Sequence, residues 1–185
     1  MRVACIQLNS GEDYNKNCDD IINFIYQSIK KKADLIITPE VSTLVTKNKN
    51  ILKKYSFKMN KDPFVLKIKK ICKINKKWIL LGSLPIKDKK FYRNRSIMVG
   101  PNGKIVKFYD KIKMFDIKLN NKENHKESRT YKPGKKIKFV KLPWGNLGLT
   151  ICFDLRFPEI YRKLSMKKLS FIAVPSAFTK ITGKK

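Results

Sequence analysis

The apolar positions of this chain change period along its length, and each change marks an element. Arg2–Leu8 alternates, with Val3, Cys5 and Gln7 on one face and Ala4, Ile6 and Leu8 on the other, which predicts a strand. From Tyr14 onward, Cys18, Ile21, Ile22, Ile25 and Ile29 recur at three- and four-residue steps, the stripe of an amphipathic helix. Leu35–Thr38 predicts a short strand that runs into Pro39 and Glu40. Asp62-Pro63 has the form of an N-cap followed by proline in the first turn, opening a helix that reaches Asn75. Trp78–Leu81 reads as a buried strand stopped by Gly82. Arg95–Val99 and Ile105–Tyr109 predict strands around the turn Gly100-Pro101-Asn102-Gly103. Ile137–Leu142 and Leu147–Cys152 predict a second hairpin around Pro143-Trp144-Gly145-Asn146, followed by a helix over Pro158–Lys168 and a strand over Phe171–Val174. No repeat and no Gly/Ser-rich linker divides the chain, so residues 1–185 read as one domain. Strands alternating with helices, with hairpins among them, predict α/β architecture and a mixed sheet.

Composition narrows the function. At 42% hydrophobic residues the chain buries a core although 31% of it is charged. No apolar run approaches the ~18 residues of a membrane span, and the N-terminal stretch is too short for a signal peptide, so a soluble cytoplasmic protein with no membrane partner is expected. The four cysteines form no C-x-x-C pair, which argues against a zinc ribbon or a disulfide framework. Cys5, Cys18 and Cys72 sit in apolar-periodic segments and read as core or near-core. One histidine, His125, excludes a multi-histidine metal site and argues against a histidine-based nucleophile system. The net charge of +29 raises a polyanion as partner. Against this, 37 of the 43 basic residues are lysines spread over the whole chain, without a helix-turn-helix, zinc or RNP-like signature, so no specific nucleic-acid partner is expected.

Ligands of open α/β sheets collect at the carboxyl ends of strands. Those ends offer Glu40 after Leu35–Thr38, Lys111 after Ile105–Tyr109, and Cys152 closing Leu147–Ile151. A thiol needs a base or a positive field to become a nucleophile, and a glutamate beside a lysine supplies both, with the lysine left to neutralise an oxyanion. Position alone leaves ordinary alternatives open. Cysteine is often a small buried hydrophobe, Glu40 after a proline is also a helix cap, and Lys111 is one lysine among many.

The local words decide more. Leu35-Ile36-Ile37-Thr38-Pro39-Glu40, Tyr109-Asp110-Lys111-Ile112-Lys113-Met114-Phe115-Asp116 and Gly148-Leu149-Thr150-Ile151-Cys152-Phe153-Asp154-Leu155-Arg156-Phe157-Pro158-Glu159 occur in that order. With them come Asn94-Arg95-Ser96, Glu127-Ser128 before Pro133-Gly134, and Pro175-Ser176-Ala177-Phe178 before Thr182-Gly183. In register over essentially the whole chain, these words resemble the nitrilase superfamily of carbon–nitrogen hydrolases, in its omega-amidase and deaminated-glutathione amidase branch.

The resemblance implies an αββα sandwich and a Glu-Lys-Cys triad of Glu40, Lys111 and Cys152. It implies a supporting Glu127 that positions the lysine and the substrate. The Phe153 peptide N–H is the expected oxyanion donor, and Asp154 and Arg156 read as a buried ion pair that holds the cysteine turn. The implied reaction is hydrolysis of a small linear amide, anionic amides among the candidates, through a cysteine thioester, with no metal or organic cofactor and with homo-oligomerisation expected of the complete enzyme. Two positions depart from the family's pattern. Phe153 stands where tyrosine is frequent and Lys113 where histidine is usual, which puts substrate preference in doubt more than reaction type. Chains of this family continue past Thr182-Gly183 into strands that complete the second sheet, whereas this one stops at Lys184-Lys185. The expectation from that is a sandwich incomplete at the C-terminus, with a catalytically silent remnant or a partner-dependent fragment as the alternative function.

Overall fold

A computed structural model describes residues 1–118 and 124–178. The segments run β1 (Val3–Cys5), α1 (Tyr14–Lys30), β2 (Leu35–Ile37), α2 (Lys49–Tyr55), α3 (Pro63–Asn75), β3 (Trp78–Asp88), β4 (Phe91–Val99), β5 (Ile105–Asp110), β6 (Asp116–Lys118), β7 (Asn124–Lys126), β8 (Lys138–Leu142), β9 (Gly145–Leu149), α4 (Pro158–Ser165) and β10 (Leu169–Ala173). Both long helices begin at a capping aspartate, expected from the sequence at Asp62 and found in addition at Asp13. Asp13 accepts the Lys16 N–H ahead of α1, and Asp62 accepts the N–H groups of Phe64 and Val65 ahead of α3.

Strand alternation sorts the apolar side chains into two cores. The main sheet has the order β1-β2-β3-β4-β5, parallel through β3 and antiparallel after it. One of its faces presents Ile36, Ile79, Leu81, Ile97 and Val99 to Ile21, Ile25, Val65 and Ile68 of the helices. The other presents Leu35, Leu80, Met98 and Tyr109 to Val140, Leu142, Leu147, Leu149 and Ala173 of a smaller sheet ordered β10-β9-β8. α4 lies on the outer side of that sheet, with Ile160 and Leu164 buried and Leu164 close to Gly148. The layers therefore run helix, sheet, sheet, helix, the αββα sandwich that the resemblance implies.

Several local expectations are corrected. β3 does not stop at Gly82 but runs on to Asp88, with a register shift between Leu81 and Leu84. A Cβ at Gly82 would lie 1.9 Å from the Thr38 carbonyl oxygen and 2.6 Å from Pro175 Cβ, so the glycine admits two neighbouring segments instead of ending a strand. Cys5 is exposed, whereas Cys18 and Cys72 are buried. Cys5 pairs with Ile37 and so shares the inter-sheet face of β2, but it lies on the edge strand, where Val3 is also exposed. β9 ends at Leu149, and Cys152 opens a 3-10 turn over Cys152–Arg156. Two elements escape the periodicity reading altogether. α2 buries only Leu52, and the β6–β7 pair is too short and polar to carry a pattern.

Candidate active site

Three separate turns carry the charged residues to one place between the sheets. Glu40 follows β2 in a tight turn whose next residue, Val41, has φ 41°. That conformation is strained for a β-branched side chain, and the turn is held by hydrogen bonds to β3. The Val41 N–H donates to Ser83 Oγ at 2.8 Å and the Ser42 N–H to the Ser83 carbonyl at 3.1 Å. Lys111 is the first residue beyond β5, and its N–H donates to the Asn94 carbonyl at 3.0 Å. A bidentate Arg95–Asp110 pair at 2.6 and 3.0 Å fixes the register of β4 and β5 beside it. Glu127 opens a 3-10 turn after β7. Cys152 has φ 45°, the second strained non-glycine residue at this place, and donates its N–H to the Pro175 carbonyl at 3.0 Å.

The side chains converge. Lys111 Nζ lies 2.7 Å from Glu40 Oε1 and 2.8 Å from Glu127 Oε2, and the lysine is 2% exposed. Burial by itself would push the ammonium down, but the charges and hydrogen bonds of Glu40 and Glu127 together outweigh it and hold Lys111 above the ordinary lysine range. Asn94 Nδ2 donates to both glutamates at 2.9 Å. The Ala177 N–H donates to Glu40 Oε2 at 3.0 Å, and the Phe115 N–H to Glu127 Oε2 at 2.7 Å. The Cys152 thiol is pushed up to about 12, first by burial and then by Glu40, against the opposing pull of Lys111. At rest it is therefore a neutral thiol.

Asp154 does not pair with Arg156 as the sequence reading expects. It is fully buried and accepts from Tyr109 Oη at 2.6 Å, the Lys113 N–H at 2.8 Å and the Ile151 N–H at 3.0 Å, while Arg156 is exposed. The carboxylate thus ties the Lys111 segment to the Cys152 turn. Lys113 turns away to Glu159 at 2.9 Å and lies over the Phe157 ring at 4.2 Å. Phe153 stands edge-on between Phe115 and Phe157, centroids 5.0 and 5.4 Å apart, so its ring is held by aromatic neighbours on both sides. Asn94, Tyr109 and Ala177 received no role from the sequence. All three lie inside the motif words of the sequence, which is the signal it offers for them.

The sequence and the fold have counterparts in known proteins. The sequence profile of the family described as carbon–nitrogen hydrolase matches residues 2–185. The chain belongs to the carbon–nitrogen hydrolase family. It is 32% identical over 185 residues to the deaminated glutathione amidase of Yersinia enterocolitica, an alignment covering 98% of this chain and 64% of that protein. It is 30% identical over 192 residues to the omega-amidase NIT3 of Saccharomyces cerevisiae, covering 99% of this chain and 65% of that one. The crystal structure of the NitFhit protein of Caenorhabditis elegans superposes with a TM-score of 0.87 at 28% identity, covering 98% of this chain and 45% of that one. The chain thus spans about two thirds or less of the length of these relatives. The Yersinia and Saccharomyces relatives are named as amidases, and the family's name is that of hydrolases acting on C–N bonds.

Proposed function

We propose that this carbon–nitrogen hydrolase cleaves a small linear amide through a thioester on Cys152, with Glu40 as base and Lys111 as electrostatic stabiliser. The observation that carries the reading is the buried Lys111, held at 2.7 and 2.8 Å between two carboxylates beside a strained cysteine.

A neutral thiol dictates the first step. Glu40 takes the Cys152 proton as the sulfur attacks the amide carbonyl, so deprotonation and C–S bond formation proceed together. The oxyanion that forms is met by Lys111, whose paired ammonium keeps its charge, and by the Phe153 N–H. The protonated Glu40 then gives its proton to the leaving nitrogen, the C–N bond breaks, and ammonia departs from the thioester. Glu40 next removes a proton from water, hydroxide adds to the thioester carbonyl, and the acid leaves as the thiol is re-formed. Glu127 takes no proton in this cycle; it braces Lys111 through the 2.8 Å bond to its ammonium. For substrate class, the named activities of the relatives favour an amide on a chain that also bears a carboxylate, such as a dicarboxylic acid mono-amide.

Ammonia release from dicarboxylic mono-amides, with intact-mass detection of the acylated protein, tests this. Glu40→Gln and Cys152→Ala are each expected to lower kcat by more than about 10²-fold, and Cys152→Ala to lose the adduct. Turnover within tenfold of the parent in either variant would refute the assignment of that residue.

A further inference from the structure

We infer that Asn94 is a positioning residue that holds Glu40 and Glu127 in register around Lys111. The inference rests on the amidase reading above. Asn94 lies inside β4 at 2% exposure, and it hydrogen-bonds to all three charged residues, to the two glutamates through its side chain and to Lys111 through its backbone. Its Nδ2 donates one hydrogen to Glu40 Oε1 and one to Glu127 Oε1, each at 2.9 Å, and its backbone carbonyl accepts the Lys111 N–H at 3.0 Å. The residues it joins arrive on the turn after β2, the turn after β7 and the end of β5, so none of them is positioned by its own chain neighbours relative to the others.

The choice of residue type follows from the charges. Two carboxylates around one ammonium leave the buried cluster one negative charge in excess, and such an excess is tolerable only where neutral donors meet the remaining lone pairs. An amide nitrogen has two hydrogens, and here each glutamate receives one. An aspartate would add a third carboxylate, and a basic residue would cancel the excess charge that makes Glu40 a base. The amide also fixes the rotation of Glu40. Oε1 is committed to Lys111 and Asn94, so Oε2 is turned to the Ala177 N–H, a group that also acts on the Cys152 thiol. Without Asn94, Glu40 keeps its bonds to Lys111 and to the Ala177 N–H, but the donor that ties its Oε1 to Glu127 is gone.

The test compares the parent with Asn94→Ala and with the near-isosteric Asn94→Asp. Iodoacetamide modification of Cys152 is followed by peptide mapping across pH, with exposed Cys5 of the same molecule as reference, together with kcat and KM for amide hydrolysis. In Asn94→Ala, Cys152 modification at neutral pH is expected to fall about tenfold, with Cys5 unchanged and kcat lowered more than KM is altered. In Asn94→Asp the new carboxyl donates only while protonated, so Cys152 reactivity relative to the parent is expected to decline as pH rises. Cys152 profiles superimposable on the parent in both variants would overturn the inference. So would failure of both to melt cooperatively, which would assign Asn94 to folding alone. A Glu40→Gln control separates the two levels. If it leaves Cys152 reactivity and ammonia release intact, the amidase reading itself falls. If it abolishes both while Asn94→Ala changes neither, only the role of Asn94 falls.

Discussion

Asp154 illustrates how a site residue is read correctly as structural and assigned the wrong partner. Its place two residues after Cys152 made an ion pair with Arg156 the natural expectation, because both lie in one short word. The 3-10 turn instead points the carboxylate inward, where the Tyr109 hydroxyl and two backbone N–H groups satisfy it. Burial raises this carboxyl despite those donors, so the Tyr109 bond is made where its loss cannot be repaired by water. Tyr109→Phe, which keeps the ring and removes the hydroxyl, is expected to destabilise the chain by about 1–3 kcal/mol in urea unfolding. A change below about 0.5 kcal/mol would mean that the two backbone donors suffice. The same substitution tests the tie between the Lys111 segment and the cysteine turn, since Tyr109 sits two residues before the lysine.

At the scale of elements, α3 gives a pH prediction. Its cap, Asp62, is buried, and burial pushes its carboxyl from the ordinary 3.8 to about 6, against the lowering effect of the Val65 and Phe64 N–H bonds. A carboxyl raised on folding binds its proton more tightly in the native state. Its contribution to stability is therefore fully present below about pH 4 and is lost as pH rises through about 6. Asn caps a helix as well as Asp does and carries no charge to bury. Relative to the parent, Asp62→Asn is expected to gain stability between pH 4 and pH 7, by up to about 3 kcal/mol, in melts taken at matched ionic strength. A stability difference that stays flat over that window would mean that the helix N-terminus fully offsets the burial. How much of each element the sequence revealed depends on how many side chains carried the pattern. α1 and α3 were placed because five or more side chains of each face the core in phase. α2 was not, because one buried leucine has no period.

For the molecule as a whole, the basic charge is distributed over the surface. Among the described residues the charges around the site are neutralised locally: Lys111 by two glutamates, Arg95 by Asp110 and Lys113 by Glu159. The remaining excess predicts loose, sequence-independent retention of RNA at ~50 mM salt, largely lost by ~200 mM, when followed by a salt titration of binding. Tight binding that persists at the higher salt and discriminates between sequences would contradict that and restore a nucleic-acid partner. No helix among the described residues is long and apolar enough to cross a membrane.

The sequence by itself determined the fold class, the family, and the identity of Glu40, Lys111, Glu127 and Cys152 as the residues to watch. It could do so because strand and helix periods are local, and because the motif words preserve the order of the segments. Only the tertiary structure decided that Lys111 is shared between two carboxylates, that Asn94 joins all three, that Asp154 pairs with Tyr109, and that Cys5 faces solvent while Cys18 and Cys72 do not. Each of these depends on which strands lie side by side and which turn folds over which sheet edge. Asn94 and Glu40 stand 54 positions apart in the chain, and hydrogen bonds of 2.9 Å between such residues arise from packing, which no local pattern of apolar and polar positions encodes.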